Sequence, residues 1–234
     1  MVIKASRVVS GVVAALVVAV VPSAGAVAQR ADGPPCRSVQ HEGSAITVCQ
    51  IDLKRSIVKL FWRRPDGERY GYLTSLPDKL QDGGKLRFSL NAGMFHPDYR
   101  PVGLYVEGGK EFFKASTARG PGNFHLKPNG AFFVAGDTAG AMETAAFLKA
   151  RPTVDFATPS GPMPAIGGRL HPRFTEDGES KKLRNGVGVV NAQTVVFANS
   201  EDAISFGAFG RLFRDVLKAP NALFLDGGSV PSLY

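Results

Sequence analysis

Only two cysteines, one tryptophan and four histidines occur among the 234 residues. Two cysteines cannot make a disulfide-dense miniprotein or a four-thiolate zinc centre. His41, His96, His125 and His171 stand far apart and include no H-E-x-x-H pair, so spacing assigns no metal ligand. A G-x-S-x-G nucleophile elbow, a Walker phosphate loop and a dinucleotide fingerprint are also missing, which removes the common signatures of serine hydrolases, nucleotide hydrolases and dehydrogenases. With no run of five like charges and no nucleic-acid-binding motif, the net charge of +8 describes a solvated basic surface, and no nucleic-acid partner is expected. No apolar run reaches the roughly 20 residues that a spanning helix requires, so no stable membrane insertion is expected either.

What the chain does have is 44% hydrophobic and 21% charged residues, enough apolar matter for one sizeable core. Lys4 and Arg7 precede an unbroken apolar run from Gly11 to Val21, and Ala24-Gly25-Ala26 and Ala26-Val27-Ala28 follow as small-residue cleavage sites. This reads as a signal peptide over residues 1–28, an exported domain over 29–234, and a periplasmic or secreted location. Loss of Lys4 and Arg7 leaves six of the eight net positive charges, a balance that favours anionic partners such as phosphorylated or acidic glycans. Export places Cys36 and Cys49 where a disulfide persists, and one bridge is expected. A metal site would need more ligands than two thiols and His41 offer, and a reactive thiol pair is the remaining alternative.

Short β-branched and aromatic runs recur at 45–53, 57–62, 86–91, 102–106, 131–135, 187–191 and 194–198, separated by Gly, Pro, Asn or Asp. Helical periodicity is expected over 140–151 and over 206–218, where Phe206, Phe209, Phe213 and Val216 share a stripe behind a Ser205 cap. The fold class is therefore α+β: a mixed, largely antiparallel sheet core with a few helices in a single domain.

Five polar residues sit at glycine-flanked strand ends: Asn91 before Gly93, Asn129 before Gly130, Ser160 before Gly161, Asn185 before Gly186, and Asp226 before Gly227, Gly228 and Ser229. Small residues beside a polar side chain let backbone approach a ligand closely, and such junctions can converge at one sheet edge. Each alone is also what a tight turn looks like.

The stretches NAGMFHPDYRPVGLYVEGGKE, KPNGAFF, SGPM, RNGVGVV and ALFLDGGS resemble the phosphodiester glycosidase family, in order and spacing, from Asn91 onward. The chain departs from that pattern at Pro159, at Pro164, and in having two glycines before Ser229. The resemblance implies a hydrolase that breaks the glycosidic side of a sugar-1-phosphodiester, with a carbohydrate or phosphoglycan substrate and an N-acetylhexosamine in an envelope glycan or exopolysaccharide as one candidate. Such chemistry needs a carboxylate at the anomeric carbon and neutralisation of the departing phosphate. Asp226 is the expected carboxylate and Arg184 the phosphate ligand, since a guanidinium pairs bidentately with phosphate. Beside Arg184, Asp226 would stay ionised and act as nucleophile or base. His96 or Asp98 would protonate more basic leaving groups. Asn91, Gly93, Asn129, Gly161, Asn185, Gly227 and Gly228 would line the sugar site, Ser160 and Ser229 would touch the phosphate, and Phe95 and Tyr99 either stack on sugar or belong to the core. No cofactor is required. A divalent cation is left open, although Asp98, Asp137, Asp155 and Asp202 match no known loop. The alternative is a non-catalytic glycan-binding or polysaccharide-assembly module with the same fold; oligomeric state is not legible.

Overall fold

In a computed structural model of the chain, the structure describes residues 15–20, 36–174, 178–226 and 233–234, the first of these by backbone alone. Every strand pair in it is antiparallel, as an α+β fold with a largely antiparallel sheet requires. One sheet has three strands, β1 (Ala15–Val20) lying between β4 (Ile57–Phe61) and β5 (Lys85–Asn91). A five-stranded sheet runs in the order β7 (Lys110–Phe113), β6 (Tyr105–Glu107), β10 (Phe156–Ser160), β8 (Gly130–Ala135), β9 (Thr138–Glu143). A seven-stranded sheet follows the order β12 (Arg169–Leu170), β11 (Ala165–Ile166), β15 (Asn221–Phe224), β13 (Asn185–Asn191), β14 (Thr194–Ser200), β3 (Ser44–Asp52), β2 (Cys36–His41).

The seven-stranded sheet is covered on both faces, which is why β3 and β14 read as nearly continuous apolar runs. Ile51 and Cys49 of β3 and Val195 and Phe197 of β14 enter the main core with Leu60, Phe88, Leu90 and Phe132. Their neighbours Ile46, Val48, Val196 and Ala198 face the other way, onto Phe209, Leu212 and Phe213. Those three come from helix α2 (Phe206–Arg211) and the π-helical turn Leu212–Val216 that extends it. Ser205 caps α2 as the sequence predicts, its Oγ accepting from the Ala208 N–H at 3.1 Å.

The expected helix over 140–151 is shorter. Residues 138–143 form β9, pairing with β8 and burying Ala139 and Ala141 on alternate positions, and only Thr144–Ala150 is helical (α1). Alanine and glycine fit either period, and pairing with β8 decides between them. Similarly, only Tyr105 and Val106 of the predicted strand 102–106 are ladder, in β6, which runs on to Glu107, because Pro101–Leu104 turns out of the hairpin that carries His96.

Two features at the N-terminal side carry consequences. Cys36 and Cys49 form a disulfide across directly opposed positions of β2 and β3. The apolar run read as a leader provides β1, with Ala15 opposite Phe61 on one side and Asn91 on the other. Reduction of the disulfide is expected to cost about 2–4 kcal/mol through the regained freedom of the unfolded chain, read as the difference between urea unfolding curves with and without reductant. In a chain that begins at residue 29, amides over 57–61 and 85–91 lose their β1 partners and exchange faster than in the full chain. Hydrogen exchange of both forms checks this, equal rates meaning that β4 and β5 close on one another.

Candidate functional site

Strand ends from all three sheets meet at one place. Asn91 ends β5, Asn185 begins β13, and Asp226 lies two residues past β15. The fully buried Asn185 donates from Nδ2 to the Asn91 backbone carbonyl (3.0 Å) and to Asn91 Oδ1 (2.7 Å). Asn91 Nδ2 in turn donates to the Asp226 carbonyl. Backbone bonds lock the same three segments: the Asp226 N–H to the Ala92 carbonyl and the Leu225 N–H to the Asn185 carbonyl, both 3.0 Å.

The remaining two junctions close against this cluster by backbone approach. A Cβ on Gly93 would stand 2.3 Å from the Pro159 carbonyl oxygen and 2.4 Å from Thr158 Oγ1, so only glycine lets the end of β5 lie on β10. A Cβ on Gly161 would likewise strike Asn129 Cβ at 2.7 Å and the Phe124 carbonyl at 2.9 Å. The Phe224 N–H donates to the Pro162 carbonyl at 3.1 Å, tying the β10 end to β15. Asn91, Gly93, Ser160, Gly161, Asn185 and Asp226 thus occupy one neighbourhood. Gly227, Gly228 and Ser229 lie outside the described residues.

Within the cluster the polar groups differ in what they have left to offer. Asn129 is committed: Nδ2 donates to the Phe124 carbonyl (2.8 Å), and Oδ1 accepts from Thr144 Oγ1 (3.0 Å). These bonds hold the entry to β8 and use one amide N–H and one lone pair of the expected sugar ligand. Ser160 Oγ and Asn185 Oδ1, by contrast, are buried with no hydrogen-bond partner among the described residues, an expensive state that a ligand or ordered water relieves. Ser89 Oγ is a third such group. It lies two positions before Asn91 and so on the same face of β5, a site neighbour that the sequence reading passed over although the polar-apolar alternation of 87–91 marks it.

Arg184 and His96 are placed differently from expectation. Arg184 is 1% exposed; its Nε donates to the Ile204 carbonyl (2.8 Å), its Nη2 donates to the Ser180 carbonyl (2.9 Å), and its guanidinium lies 3.5 Å from the Phe206 ring centroid. Burial lowers its pKa to about 10, so it remains charged at neutrality, without a carboxylate partner among the described residues. The expected pairing of Arg184 with Asp226 is corrected accordingly. Burial alone acts on the Asp226 carboxyl and raises its pKa to about 6, the reverse of what an adjacent guanidinium would do. His96 is exposed at the tip of a turn closed by the Tyr99 N–H donating to the His96 carbonyl (2.7 Å), with Asp98 exposed beside it. Phe95 and Tyr99 pack on each other, ring centroids 6.0 Å apart. Among the described residues no three His, Cys, Asp or Glu side chains gather as a metal site.

The strand ends thus bring a buried carboxyl with its pKa raised to about 6 into the neighbourhood of buried polar groups that have no partner among the described residues, an environment of the kind in which proton-transfer groups are found. The phosphodiester glycosidase family model matches residues 84–234, and the chain belongs to that family. It is 36% identical over 170 residues to YigE of Escherichia coli (strain K12), an uncharacterized protein, spanning 73% of this chain and 66%, just under two thirds, of YigE. In three dimensions it is similar to the catalytic domain of zebrafish N-acetylglucosamine-1-phosphodiester alpha-N-acetylglucosaminidase, auto-inhibited by its pro-peptide. That match has a TM-score of 0.50 and 12% identity over 89% of this chain and 76% of that one, a likeness of fold. A hypothetical protein from Synechocystis aligns with TM-score 0.46 and 16% identity over 88% and 60% of the two chains.

The buried carboxyl has a measurable thermodynamic signature. A pKa raised from 3.8 to about 6 contributes stability that is full below pH 4 and is lost as the pH rises through 6, because folding then buries a charge. Asp226→Asn is therefore expected to match the wild type in stability at pH 4 and to exceed it by up to about 3 kcal/mol at pH 7–8. Urea denaturation across that range checks it.

Proposed function

We propose that this chain is an exported hydrolase that breaks the glycosidic bond of a sugar-1-phosphodiester, with Asp226 as the proton donor. The observation that carries the reading is the Asp226 carboxyl, raised to about 6 by burial, at the meeting point of the strand ends. A phosphomonoester leaving group has a second pKa of about 6. Donor and departing oxygen are then matched, the condition under which general acid catalysis is most effective near neutrality. Because no guanidinium among the described residues acts on Asp226, the proton does what Arg184 was expected to do: it removes charge from the departing phosphate. Water adds to the anomeric carbon as the bond from that carbon to the phosphate oxygen breaks, the departing oxygen takes the Asp226 proton, and the proton released by the attacking water passes to solvent, from which Asp226 is reprotonated.

Ser160 Oγ and Asn185 Oδ1 supply the free hydrogen-bonding capacity for a sugar hydroxyl, an N-acetyl group or the attacking water. Asn91 orients the Asp226 backbone. The zebrafish relative acts on an N-acetylglucosamine-1-phosphodiester by its name, which supports an N-acetylhexosamine linked through phosphate in an envelope glycan or exopolysaccharide as the substrate here. The export reading supports a periplasmic or secreted site of action.

The test is hydrolysis of α- and β-sugar-1-phosphodiesters by the full chain and by Asp226→Asn, with phosphate-free glycosides as controls. Turnover of the diesters alone is expected, with kcat/KM falling about tenfold per pH unit above pH 6. The variant should lose activity by a factor on the order of 10² to 10⁴. A rate that rises through pH 6 makes Asp226 the base or nucleophile. Binding without any turnover assigns the chain to the non-catalytic module.

A further inference from the structure

A second cleft, of about 490 Å³, shares no residue with the Asn91–Asn185–Asp226 cluster. Its walls come from β4, from the hairpin that follows it, and from the segment before β5. Lys59, Arg63 and Arg64 line it together with Asp82, Glu107 and the rings of Phe61 and Tyr70. The volume falls within the range of small-molecule sites.

The charges in this cleft are unevenly used. Lys59 is paired to Asp82, so those two cancel. Arg63 and Arg64 are exposed and have no carboxylate partner among the described residues. Instead, each guanidinium is stationed over an aromatic ring: Arg63 4.3 Å from the Trp62 centroid and Arg64 5.7 Å from the Tyr70 centroid. Stacking fixes the plane of a guanidinium while its edge donors stay free for an oxyanion. Arg63 uses Nη1 on the Gly67 carbonyl at 2.7 Å, which fixes it further.

In the same cleft, Glu107 accepts from Tyr105 Oη at 2.7 Å and has no cationic partner among the described residues. Burial raises its pKa, which weakens its ability to neutralise the arginines. Tyr70 and Phe61, edge to face with centroids 5.8 Å apart, provide an aromatic wall. An aromatic wall beside mixed donors and acceptors suits the two surfaces of a sugar ring, its C–H face and its hydroxyls, and two guanidinia without a carboxylate partner among the described residues ask for a negative charge on it.

We propose that this cleft is a binding site for an anionic saccharide residue, held by Arg63 and Arg64 with its ring against Tyr70. The saccharide nature of the ligand rests on the glycosidase reading above; the charge preference rests on the cleft alone. Trp62, on which Arg63 stacks, donates from Nε1 to the Tyr99 carbonyl at 2.9 Å, so the cleft is braced against the loop that leaves Asn91. A polymer bearing acidic residues could then be gripped here while a different residue occupies the Asp226 site.

The test is titration of the full chain with a glucuronate-terminated disaccharide, glucose 6-phosphate, maltose and inorganic phosphate, read by calorimetry. Saturable binding of either anionic sugar, at least tenfold tighter than maltose and inorganic phosphate, is expected, and whichever binds better names carboxylate or phosphate as the recognised group. Arg63→Ala/Arg64→Ala should weaken it about tenfold or more. Lys181→Ala/Lys182→Ala, which removes the same charge elsewhere on the surface, should leave it unchanged. Equal loss in both variants, equal affinity for maltose, inorganic phosphate binding as tightly as the sugars, or no binding at all would overturn the proposal. Asp226→Asn should bind as the wild type does, so failure of catalysis and failure of this site are read separately.

Discussion

The donation of Asn185 Nδ2 to Asn91 is the bond on which the rest of the architecture turns. It joins the first residue of β13 to the last residue of β5, two strands of different sheets, inside a region with no solvent to compensate a broken contact. Buried amides are costly unless paired, so this pairing fixes the relative placement of the two sheets more sharply than apolar packing does. Asp226 inherits its position from that bond, through the Asn91 amide at its carbonyl and the Ala92 carbonyl at its N–H. The carboxyl is thus held by its backbone at both ends, while its side chain takes its character from burial.

Arg184 acquires a different meaning in this light. A buried cation without a carboxylate is unusual, and here the Phe206 ring and two carbonyls stabilise it. Its contacts reach Ser180 and Ile204, so it ties the approach to β13 to the segment that leads into α2. The residue after it is Asn185. Arg184 therefore acts as a positioning residue for the strand end, and its proximity in sequence to the site is structural in cause.

The strand ladder was legible because both faces of the large sheet are covered: β3, β13 and β14 leave runs that no amphipathic helix would give. The Cys36–Cys49 bridge, the Ser205 cap and the gathering of Asn91, Ser160, Asn185 and Asp226 could likewise be read from residue types and glycine placement. Local pattern failed where partners decide. The segment Gly140–Met142 has no period of its own and takes one from β8. Asn129 looks like a ligand by its glycine neighbour, but Thr144, fifteen residues away, claims its oxygen. The charge environment of Asp226 was the least legible feature, since it depends on which way Arg184 turns, and that is set by Phe206 and Phe224 across the fold.

The run Ala15–Val20 shows how one composition serves two purposes. Valine-rich, uncharged and flanked by small residues, it is what an export signal needs, and the same β-branched residues make a strong strand. Between β4 and β5 it satisfies two rows of backbone groups that would otherwise face water or each other. Its register puts Ala15 opposite Asn91, the residue that orients Asp226. Loss of residues 15–20 would therefore be a structural event at the edge of the candidate site, freeing one edge of β5 while the bonds from Asn185 still reach Asn91. The cluster keeps a second set of ties in that event, because the side-chain bonds of Asn91 and Asn185 join the end of β5 to the start of β13 and to the Asp226 carbonyl beyond β15.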